Sequence, residues 1–394
     1  MAERRRLPHL TATRRQGAQV TPLELFFDLV FVLAITQCTA LMAHDPSWTT
    51  LFQGLAVLGV LWWSWVGYAW LTSVIDPEEG AVRLIIFAAM AAALVASLCV
   101  PEAFGDLGLT FAIAYAVLRV AQLGLFWIGS GDDRELRRSI VGLAVGTTLG
   151  VGLLVTASFF DGWVQGALWA TALLLDVAEP YVFGSQGWRL MPEHFVERHG
   201  LIMIIALGES IVAIGVGADH GVDAGVVVAA VIGVAIAAAQ WWAYFDVVAI
   251  VAGERLAALP PGREQNDMAR DAYSYLHFAM VAGIVLVAFG MKTTIAHVGD
   301  PLEIVPATAL AGGASLYLLA HVAFRFRGMH ELNRQRLVVA VALLAVIPLA
   351  LVVPAELTAA VIATLYSGLI AYEAHHFADA RARIRHHTDD QPVA

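Results

Sequence analysis

The chain has 394 residues, of which 59% are hydrophobic and 14% are charged, and its formal net charge is −10. Its mean hydropathy is +0.72. Soluble domains carry about 25% charged residues, so this composition excludes an ordinary soluble domain and indicates a polytopic membrane protein. The acidic balance argues against nucleic acid as a partner. Both cysteines, Cys38 and Cys99, lie in apolar blocks and predict no disulfide framework.

Successive apolar segments, joined by short connectors rich in Gly, Pro and Asp, occupy most of the chain. Each segment is close to the length of about 20 residues that a helix needs to cross the hydrocarbon core. The predicted segments, numbered as helices 1 to 12, span 23–43, 50–72, 82–100, 108–129, 139–159, 163–180, 200–218, 223–250, 272–295, 304–324, 335–353 and 355–377. No small-residue cleavage site follows the basic N-terminus, so we expect helix 1 to be retained.

The two halves of the chain resemble each other in the same order, six helices apart. "LWWSWVGYAW" in helix 2 matches "AQWWAYFDVV" in helix 8, and "YAVLR" in helix 4 matches "YLLAH" in helix 10. We therefore predict an all-α polytopic membrane protein of about 12 transmembrane helices, arranged as two parallel six-helix repeats. The predicted parts are a basic tail (1–20), a first repeat (21–180), a linker (181–199), a second repeat (200–377) and a C-terminal tail (378–394).

The positions of the basic residues predict the orientation. Of the 23 lysines and arginines, all but Arg119 and Lys292 fall in the two tails, in alternate connectors or, as Arg83 and Arg336 do, at the end of a helix next to such a connector. The positive-inside rule assigns that side to the cytoplasm. We therefore predict a multi-pass protein of the bacterial cytoplasmic (inner) membrane with both termini in the cytoplasm.

Helix 1 opens with "TPLELFFDLVFVLAITQ", which carries two carboxylates one turn apart. Thr21 and Pro22 are typical of a helix start, where Glu24 can complete a capping box, so a structural role for Glu24 is one interpretation. Asp28 lies a turn deeper, and a carboxylate facing lipid there is costly. It should face the bundle interior, either as part of an ion pathway or as a tether to Arg or His on another helix.

Helix 7, "ERHGLIMIIALGESIVAIGVG", places Glu209 near the bilayer midplane, with Ser210 beside it. Ionisable residues at that depth mark a pathway or a buried pair. Glu209 is therefore the leading candidate for a substrate or ion pathway, and the alternative is a protonated glutamate bonded to a neighbouring helix. Gly208 and Gly215 should let neighbouring helices approach closely. Gln37 of helix 1 is the approximate counterpart of Glu209 in the repeat.

Arg119 lies in the middle of helix 4, and a buried guanidinium requires a carboxylate. The expected partners are Glu209 and Asp28, and the sequence does not choose between them. His321 is the counterpart of Arg119 in the repeat. His277 and His321 could both titrate near neutral pH as part of a pathway, or each could be a packing residue whose hydrogen bonds are satisfied.

Acidic residues also end two helices on the predicted cytoplasmic side. Asp176 and Glu179 end helix 6, and Asp246 ends helix 8. With Glu24 and Asp28 they would form an acidic inner vestibule, and solvated helix ends are the alternative. No His, Cys or Asp spacing predicts a metal site, and no phosphate loop, nucleophile elbow or dinucleotide fingerprint is present, so we expect no metal or cofactor.

Two long stretches, "TPLELFFDLVFVLAITQ" and "HFVERHGLIMIIALGESIVAIG", resemble the signatures of the bacterial low temperature requirement protein A (LtrA) family. The resemblance spans about residues 17–377 and implies a polytopic inner-membrane protein, but no substrate. The motif residues are Glu24, Phe27, Asp28, His194, Glu197, Arg198, Gly200, Gly208, Glu209 and Ser210. His194, Glu197 and Arg198 precede helix 7 and form either a helix start or a cytoplasmic gate paired with Glu24 or Asp28.

These features favour a secondary transporter or permease over an enzyme. Parallel repeats, a midplane carboxylate and the absence of a nucleotide-binding segment fit that class. The expected partners are the lipid bilayer and a small solute or ion, with a cation favoured and the proton as the simplest coupling ion. The alternatives are a membrane-embedded enzyme or lipid-modifying factor that uses the cytoplasmic carboxylate–His cluster, and a non-catalytic membrane sensor. The oligomeric state is not predicted.

Overall fold

The computed structural model describes residues 15, 19–78, 80–182, 187–218, 221 and 223–389. Most of the predicted N-terminal tail, part of the linker and the end of the C-terminal tail lie outside these residues. Within them the chain is helical between its loops, and one isolated bridge joins Pro301 and Pro354. The predicted all-α fold is confirmed.

Most helices begin and end close to the predicted segments, but the helices predicted at 200–218 and 272–295 begin earlier, at Pro192 and Arg263. The first seven are α1 (Pro22–His44), α2 (Trp48–Thr72), α3 (Gly80–Cys99), α4 (Gly108–Gly129), α5 (Arg134–Ala157), α6 (Gly162–Val182) and α7 (Pro192–Gly217). The next are α8 (Ala224–Phe245), α9 (Val248–Ala258), α10 (Arg263–Ala296), α11 (Ile304–Met329), α12 (Arg334–Leu344), α13 (Ile347–Ala350), α14 (Ala355–His376) and α15 (Ala378–Asp389). Helix α10 contains a π-helical stretch at Ala269–Leu276.

Ten of the described helical segments are long and apolar enough to cross a membrane. They are α1 to α5, α7, α8 together with α9, α10, α11 and α14. Large apolar side chains on them, such as Leu29, Leu84 and Val231, are more than half exposed, as lipid-facing residues are. The chain is therefore a multi-pass membrane protein. Helix α6 and the pair α12–α13 occupy the other two predicted positions, so the count of twelve and the repeat stay predictions.

Local sequence explains where several helices start and stop. Asp133 accepts hydrogen bonds from the backbone N–H groups that open α5, and Asn333 does the same for α12. The predicted helix 335–353 is interrupted after Leu344. Pro348 has no N–H to continue the helical hydrogen bonds, and the chain restarts as the short α13.

The chain divides into two compact units. The first contains the chain up to Cys38, Phe52–Arg198 and Pro260–Asp267, and the second contains Thr39–Leu51, His199–Leu259 and the chain from Met268 onwards. In the first unit, α3 packs on α4, α4 on α5 and α5 on α6. In the second unit, α10 packs on α11, α11 on α12, and α14 on both α12 and α8.

Glycines bring α10 and α11 into backbone contact inside the second unit. A Cβ atom added at Gly290 would lie 2.5 Å from Leu310 Cβ and 2.8 Å from its Cα. A Cβ atom added at Gly283 would lie 2.8 Å from the backbone oxygen of Gly313 on α11. Gly208 and Gly215 were the expected contact glycines, and that expectation was wrong, since a Cβ atom at either would meet no described atom within 4 Å.

Candidate functional site

Helix α1 begins with the predicted capping box. The Thr21 N–H donates to Glu24 Oε2 at 2.9 Å, and the Glu24 N–H donates to Thr21 Oγ1 at 3.4 Å. The Arg15 guanidinium also donates to Glu24 Oε2, at 3.1 Å, and binds the carbonyl oxygens of Gln19 and Thr72. Glu24 therefore both caps α1 and binds Arg15.

The start of α7 supplies the complementary charges in the same unit. His194 Nε2 lies 2.8 Å from Glu24 Oε1, and Arg198 Nη2 donates to Asp28 Oδ1 at 2.8 Å. Arg198 Nη1 is 3.8 Å from Glu24 Oε1. Residues four apart lie on one face of a helix, so an acidic pair on α1 meets a basic pair on α7. None of the four side chains is more than 2% exposed.

Polar groups of α2 and of the turn that follows it extend this set at both ends. Ser73 Oγ lies 3.2 Å from His194 Nδ1, and Trp65 Nε1 donates to Asp28 Oδ1 at 2.9 Å. The Arg198 guanidinium also stacks over the Trp65 ring, 5.7 Å from its centroid. We call the connected residues the α1–α7 cluster: Arg15, Glu24, Asp28, Trp65, Ser73, His194 and Arg198.

The hydrogen bonds define the tautomer that a neutral His194 adopts in the α1–α7 cluster. Because Glu24 accepts from His194 Nε2, the neutral imidazole carries its proton on Nε2 and accepts the Ser73 hydroxyl at Nδ1. The two carboxylates are then balanced by two guanidiniums. Asp28 Oδ2 has no hydrogen-bond partner among the described residues. Both His194 Nδ1 and Asp28 Oδ2 are therefore places where a proton can be added.

Little space lies beside these charges. A cavity of about 10 Å³ is lined by Leu23, Glu24, Phe27, Tyr68, Thr72, Pro77, Ile86 and Arg198. One water molecule needs about 10–15 Å³. The motif residue Phe27 is buried against Phe31 and Tyr68 and closes this region. The cavity therefore accommodates at most a single water, and no organic solute.

Sequence comparison places the chain among known proteins. Residues 19–371 match the sequence model of the bacterial low temperature requirement A protein (LtrA) family. The chain belongs to this family. It is also similar to the uncharacterized protein RA0937 of Rhizobium meliloti (strain 1021), at 28% identity over 309 residues, which covers 75% of this chain and 74% of that protein. No solved structure matches the present chain.

The α1–α7 cluster joins the two signature stretches of this LtrA-family chain. The sequence left open whether the residues before the predicted helix 7 form a helix start or pair with α1. In the structure they belong to the first turns of α7, and Arg198 pairs with Asp28. One signal in the sequence points to it. The acidic spacing Glu24–Asp28 and the basic spacing His194–Arg198 are both four residues. Arg15 was missed because it lies outside the helices.

Arg119 forms a second buried ion pair in the first unit. Its Nη2 is 3.5 Å from Asp176 Oδ1 on α6 and donates to Thr147 Oγ1 of α5 at 2.8 Å. The Tyr115 hydroxyl donates to the other oxygen of Asp176 at 3.2 Å. Arg119 is 2% exposed and Asp176 5% exposed. The expectation that Arg119 requires a carboxylate on another helix is confirmed.

The expected partners of Arg119, Glu209 and Asp28, were wrong, because Asp176 takes that place and Asp28 pairs with Arg198. Asp176 is therefore a buried partner of Arg119 and not a solvated helix end. The physical reason is packing: α4, α5 and α6 are successive neighbours, so α6 presents its carboxylate to α4 over a short distance.

Asp246, at the end of α8 in the second unit, also differs from the expected vestibule residue. Its Oδ2 accepts a hydrogen bond from Arg381 Nε at 2.7 Å, and its Oδ1 accepts one from Arg385 at 3.4 Å. Both arginines belong to α15. Asp246 therefore fastens the C-terminal helix to the end of α8.

His277 is held as a neutral packing residue. Its Nδ1–H donates to the carbonyl oxygen of Ala272 at 3.0 Å, and its Nε2 accepts from the Tyr244 hydroxyl at 2.8 Å. The carbonyl comes from the π-helical stretch of α10, which places it five residues before the imidazole. Both ring nitrogens are satisfied, which supports the packing interpretation of His277.

His321 joins a partly buried ion pair, between Arg336 and Glu373, that the sequence analysis did not predict. Arg336 Nη1 donates to His321 Nδ1 at 3.1 Å and to the carbonyl oxygen of Ala243 at 3.1 Å. Arg336 also binds Glu373 through two hydrogen bonds, of 2.9 and 2.8 Å. The sequence signal for this ion pair was Arg336 itself, a basic residue at the start of the predicted apolar segment 335–353.

The remaining candidate residues occupy different environments. Glu209 and Ser210 of α7 are each 2% exposed, and Ser210 Oγ has no hydrogen-bond partner among the described residues. Gln37 is half-buried on α1. Glu197 is exposed and accepts a hydrogen bond from the Val20 N–H at 3.0 Å. In the described part of the chain, no group of three or more His, Cys, Asp or Glu could hold a metal ion.

Proposed function

We propose that this protein is a secondary transporter for a small solute or a cation, coupled to protons through the α1–α7 cluster. The observation that carries the proposal is burial. Glu24, Asp28, His194 and Arg198 are at most 2% exposed, and they lie on two helices that are apolar and long enough to cross a membrane. Ionisable residues buried in membrane helices are costly and mark ion pathways and proton relays.

The geometry favours a proton over a larger ion at this place. The adjoining cavity of about 10 Å³ admits no solute, whereas Asp28 Oδ2 and His194 Nδ1 can each accept a proton. A proton on Asp28 removes the charge that attracts Arg198 and weakens the link between the starts of α1 and α7. Protonation is thereby coupled to the separation of two helix ends, which is the conformational element that a transporter requires.

An enzyme would need a catalytic cluster that its substrate can reach. The carboxylate–His pair of Glu24 and His194 is instead 0–2% exposed, so the geometry supports a transporter better than a membrane-embedded enzyme. A transporter works only across a sealed membrane, whereas an enzyme also turns over in detergent.

The first prediction concerns Asp28. In proteoliposomes with an imposed pH gradient, screened against small solutes and cations, the wild-type protein should show gradient-driven uptake and proton movement. Asp28→Asn should insert and fold but lose gradient-driven uptake, because the amide mimics a permanently protonated acid. Glu197→Gln is the control, since Glu197 is an exposed carboxylate on α7, next to Arg198. Wild-type uptake in Asp28→Asn would exclude the cluster from coupling, and activity in detergent would favour the enzyme.

Glu209 leads to a second prediction, because it is a buried carboxylate of the second unit. Glu209→Gln keeps the shape of the side chain and mimics the protonated acid. If Glu209 carries a coupling proton, the variant should keep its melting temperature but lose the pH dependence of uptake. Glu303→Gln, at an exposed carboxylate, is the control. A stable Glu209→Gln protein with the wild-type pH profile would remove Glu209 from the mechanism.

The proposed orientation, with twelve spans and both termini in the cytoplasm, gives a third prediction. It rests on the asymmetric placement of the basic residues. Reporter fusions after Val100 and Gly299 should be external, and a fusion after Gly131 should be internal. A reversed reporter at any of these three positions would contradict the proposed topology.

A further inference from the structure

The second unit contains a cavity of about 420 Å³ that the proposed transport step does not use. This volume falls within the range of small-molecule sites, about 300–1,000 Å³. Much of its wall is apolar, with Val251, Met268, Phe324, Leu332 and Phe377 among the lining residues. The charged lining residues are Arg255, Arg325, Arg336, Arg381, Asp246 and Glu373.

The charges around the cavity do not balance. Arg336 is neutralised by Glu373, with Nη2 to Oε2 at 2.8 Å, and Arg381 is neutralised by Asp246 at 2.7 Å. These pairs use both of the carboxylates that line the cavity. The guanidiniums of the other two lining arginines are left without a carboxylate in the cavity wall.

These two guanidiniums belong to Arg255 and Arg325, which line the same cavity. The pKa of the Glu331 carboxyl is lowered by its hydrogen bond to Arg325 and by the charge of Arg325, and further by the charge of Arg255. Arg325 Nη2 lies 2.7 Å from Glu331 Oε2, while Arg325 Nε is buried without a hydrogen-bond partner. Glu331 is 59% exposed, and exposed ion pairs are weak. Another oxyanion can therefore displace it.

The imidazole of His321 adds to the surplus of donors. Arg336 has only donors, so His321 Nδ1 accepts its hydrogen bond and the neutral ring carries its proton on Nε2. That N–H has no partner among the described residues, and the side chain is only 1% exposed. His321 therefore offers no further acceptor to the lining arginines, and the two guanidiniums without a carboxylate in the wall favour a ligand that supplies acceptor oxygens.

We propose that this cavity binds an anionic phospholipid, with its phosphate on Arg255 and Arg325 in place of the Glu331 carboxylate. The planar guanidinium matches the geometry of phosphate oxygens. The apolar wall near Val251 and Phe324 receives the acyl part, which favours a lipid over a free phosphate compound of the same headgroup chemistry. The site does not depend on the transport proposal, because it is tested by binding alone.

The test uses the full chain purified in detergent, with ligand binding followed by native mass spectrometry and titration calorimetry. The probes are dihexanoyl phosphatidic acid, inorganic phosphate and dihexanoylglycerol. We expect one equivalent of dihexanoyl phosphatidic acid to bind. Binding should weaken at least about tenfold in the double variant Arg255→Gln/Arg325→Gln, because charge-assisted hydrogen bonds are lost. It should tighten in Glu331→Gln, because the competing carboxylate is gone.

The matched control is Arg263→Gln, which removes an exposed arginine of the first unit that does not line the cavity. Equal affinity for inorganic phosphate and for the lipid probe would contradict a phospholipid ligand. The site would then bind a soluble phosphate compound instead. Dihexanoylglycerol binding as tightly as the phosphatidic acid would overturn the proposal. Unchanged binding in the double variant or in Glu331→Gln would also overturn it. Because the affinity should fall in the double variant and rise in Glu331→Gln, the two variants together separate loss of the site from misfolding.

Discussion

Replacing Arg119 by Met should lower the free energy of unfolding by about 3–5 kcal/mol, because it leaves a buried carboxylate without its partner. The carboxylate is that of Asp176, which would keep only the Tyr115 hydroxyl as a hydrogen-bond donor. The donor to Thr147 would be lost as well. The measurement is reversible unfolding in mixed detergent micelles, followed by tryptophan fluorescence.

A double variant separates the ion pair from simple loss of volume. Asp176→Leu alone should cost a similar amount, because it strands the guanidinium of Arg119. The double variant Arg119→Met/Asp176→Leu should recover much of the loss, since apolar residues often replace a buried ion pair without penalty. Arg263→Met is the control and should change stability by less than about 1 kcal/mol, because Arg263 is 84% exposed. Additive losses in the double variant would contradict a paired role.

Gly290→Ala should destabilise the second unit by at least about 3 kcal/mol, the upper range for overpacking. The new methyl group would lie 2.5 Å from Leu310 Cβ and 2.9 Å from its backbone nitrogen. Backbone atoms cannot turn away as a flexible side chain can, so α10 and α11 would have to separate. The melting temperature of the purified protein measures the effect.

The control for Gly290 is the same substitution in a different helix. A Cβ atom at Gly368 of α14 meets nothing within 4 Å. Alanine has the higher helix propensity, so Gly368→Ala should be neutral or stabilising by up to about 1 kcal/mol. A Gly290→Ala protein that melts like the wild type would mean that α10 and α11 are not in backbone contact.

Each unit contains a guanidinium–carboxylate pair among its helices, which is buried in the first unit and partly buried in the second. In the first unit Arg119 of α4 binds Asp176 of α6, and in the second unit Arg336 of α12 binds Glu373 of α14. When the two predicted repeats are compared, the carboxylate lies on the last helix of each repeat. The arginine lies on the fourth helix of the first repeat but on the fifth helix of the second. The place of Arg119 is taken by His321, which accepts a hydrogen bond from Arg336.

Much of the fold was predictable because hydropathy and capping are local properties of a chain. Apolar segments of about 20 residues predict spanning helices wherever they occur, and the described helices lie close to those segments. The capping box of Thr21 and Glu24 depends on two residues three apart, so it was visible directly. The two signature stretches were sufficient to indicate the LtrA family, whose model matches residues 19–371.

Tertiary structure decided which of the charged residues meet. His194 and Glu24 are 170 residues apart in the chain, and no local pattern states which face of α7 turns towards α1. For the same reason Arg119 was assigned the wrong partners. Glycine contacts are equally non-local: Gly290 touches a neighbouring backbone while Gly208 adjoins open space. Hydropathy specifies that a helix is buried in a membrane, but only packing specifies what its polar groups touch, because that depends on the rotation of each helix about its axis.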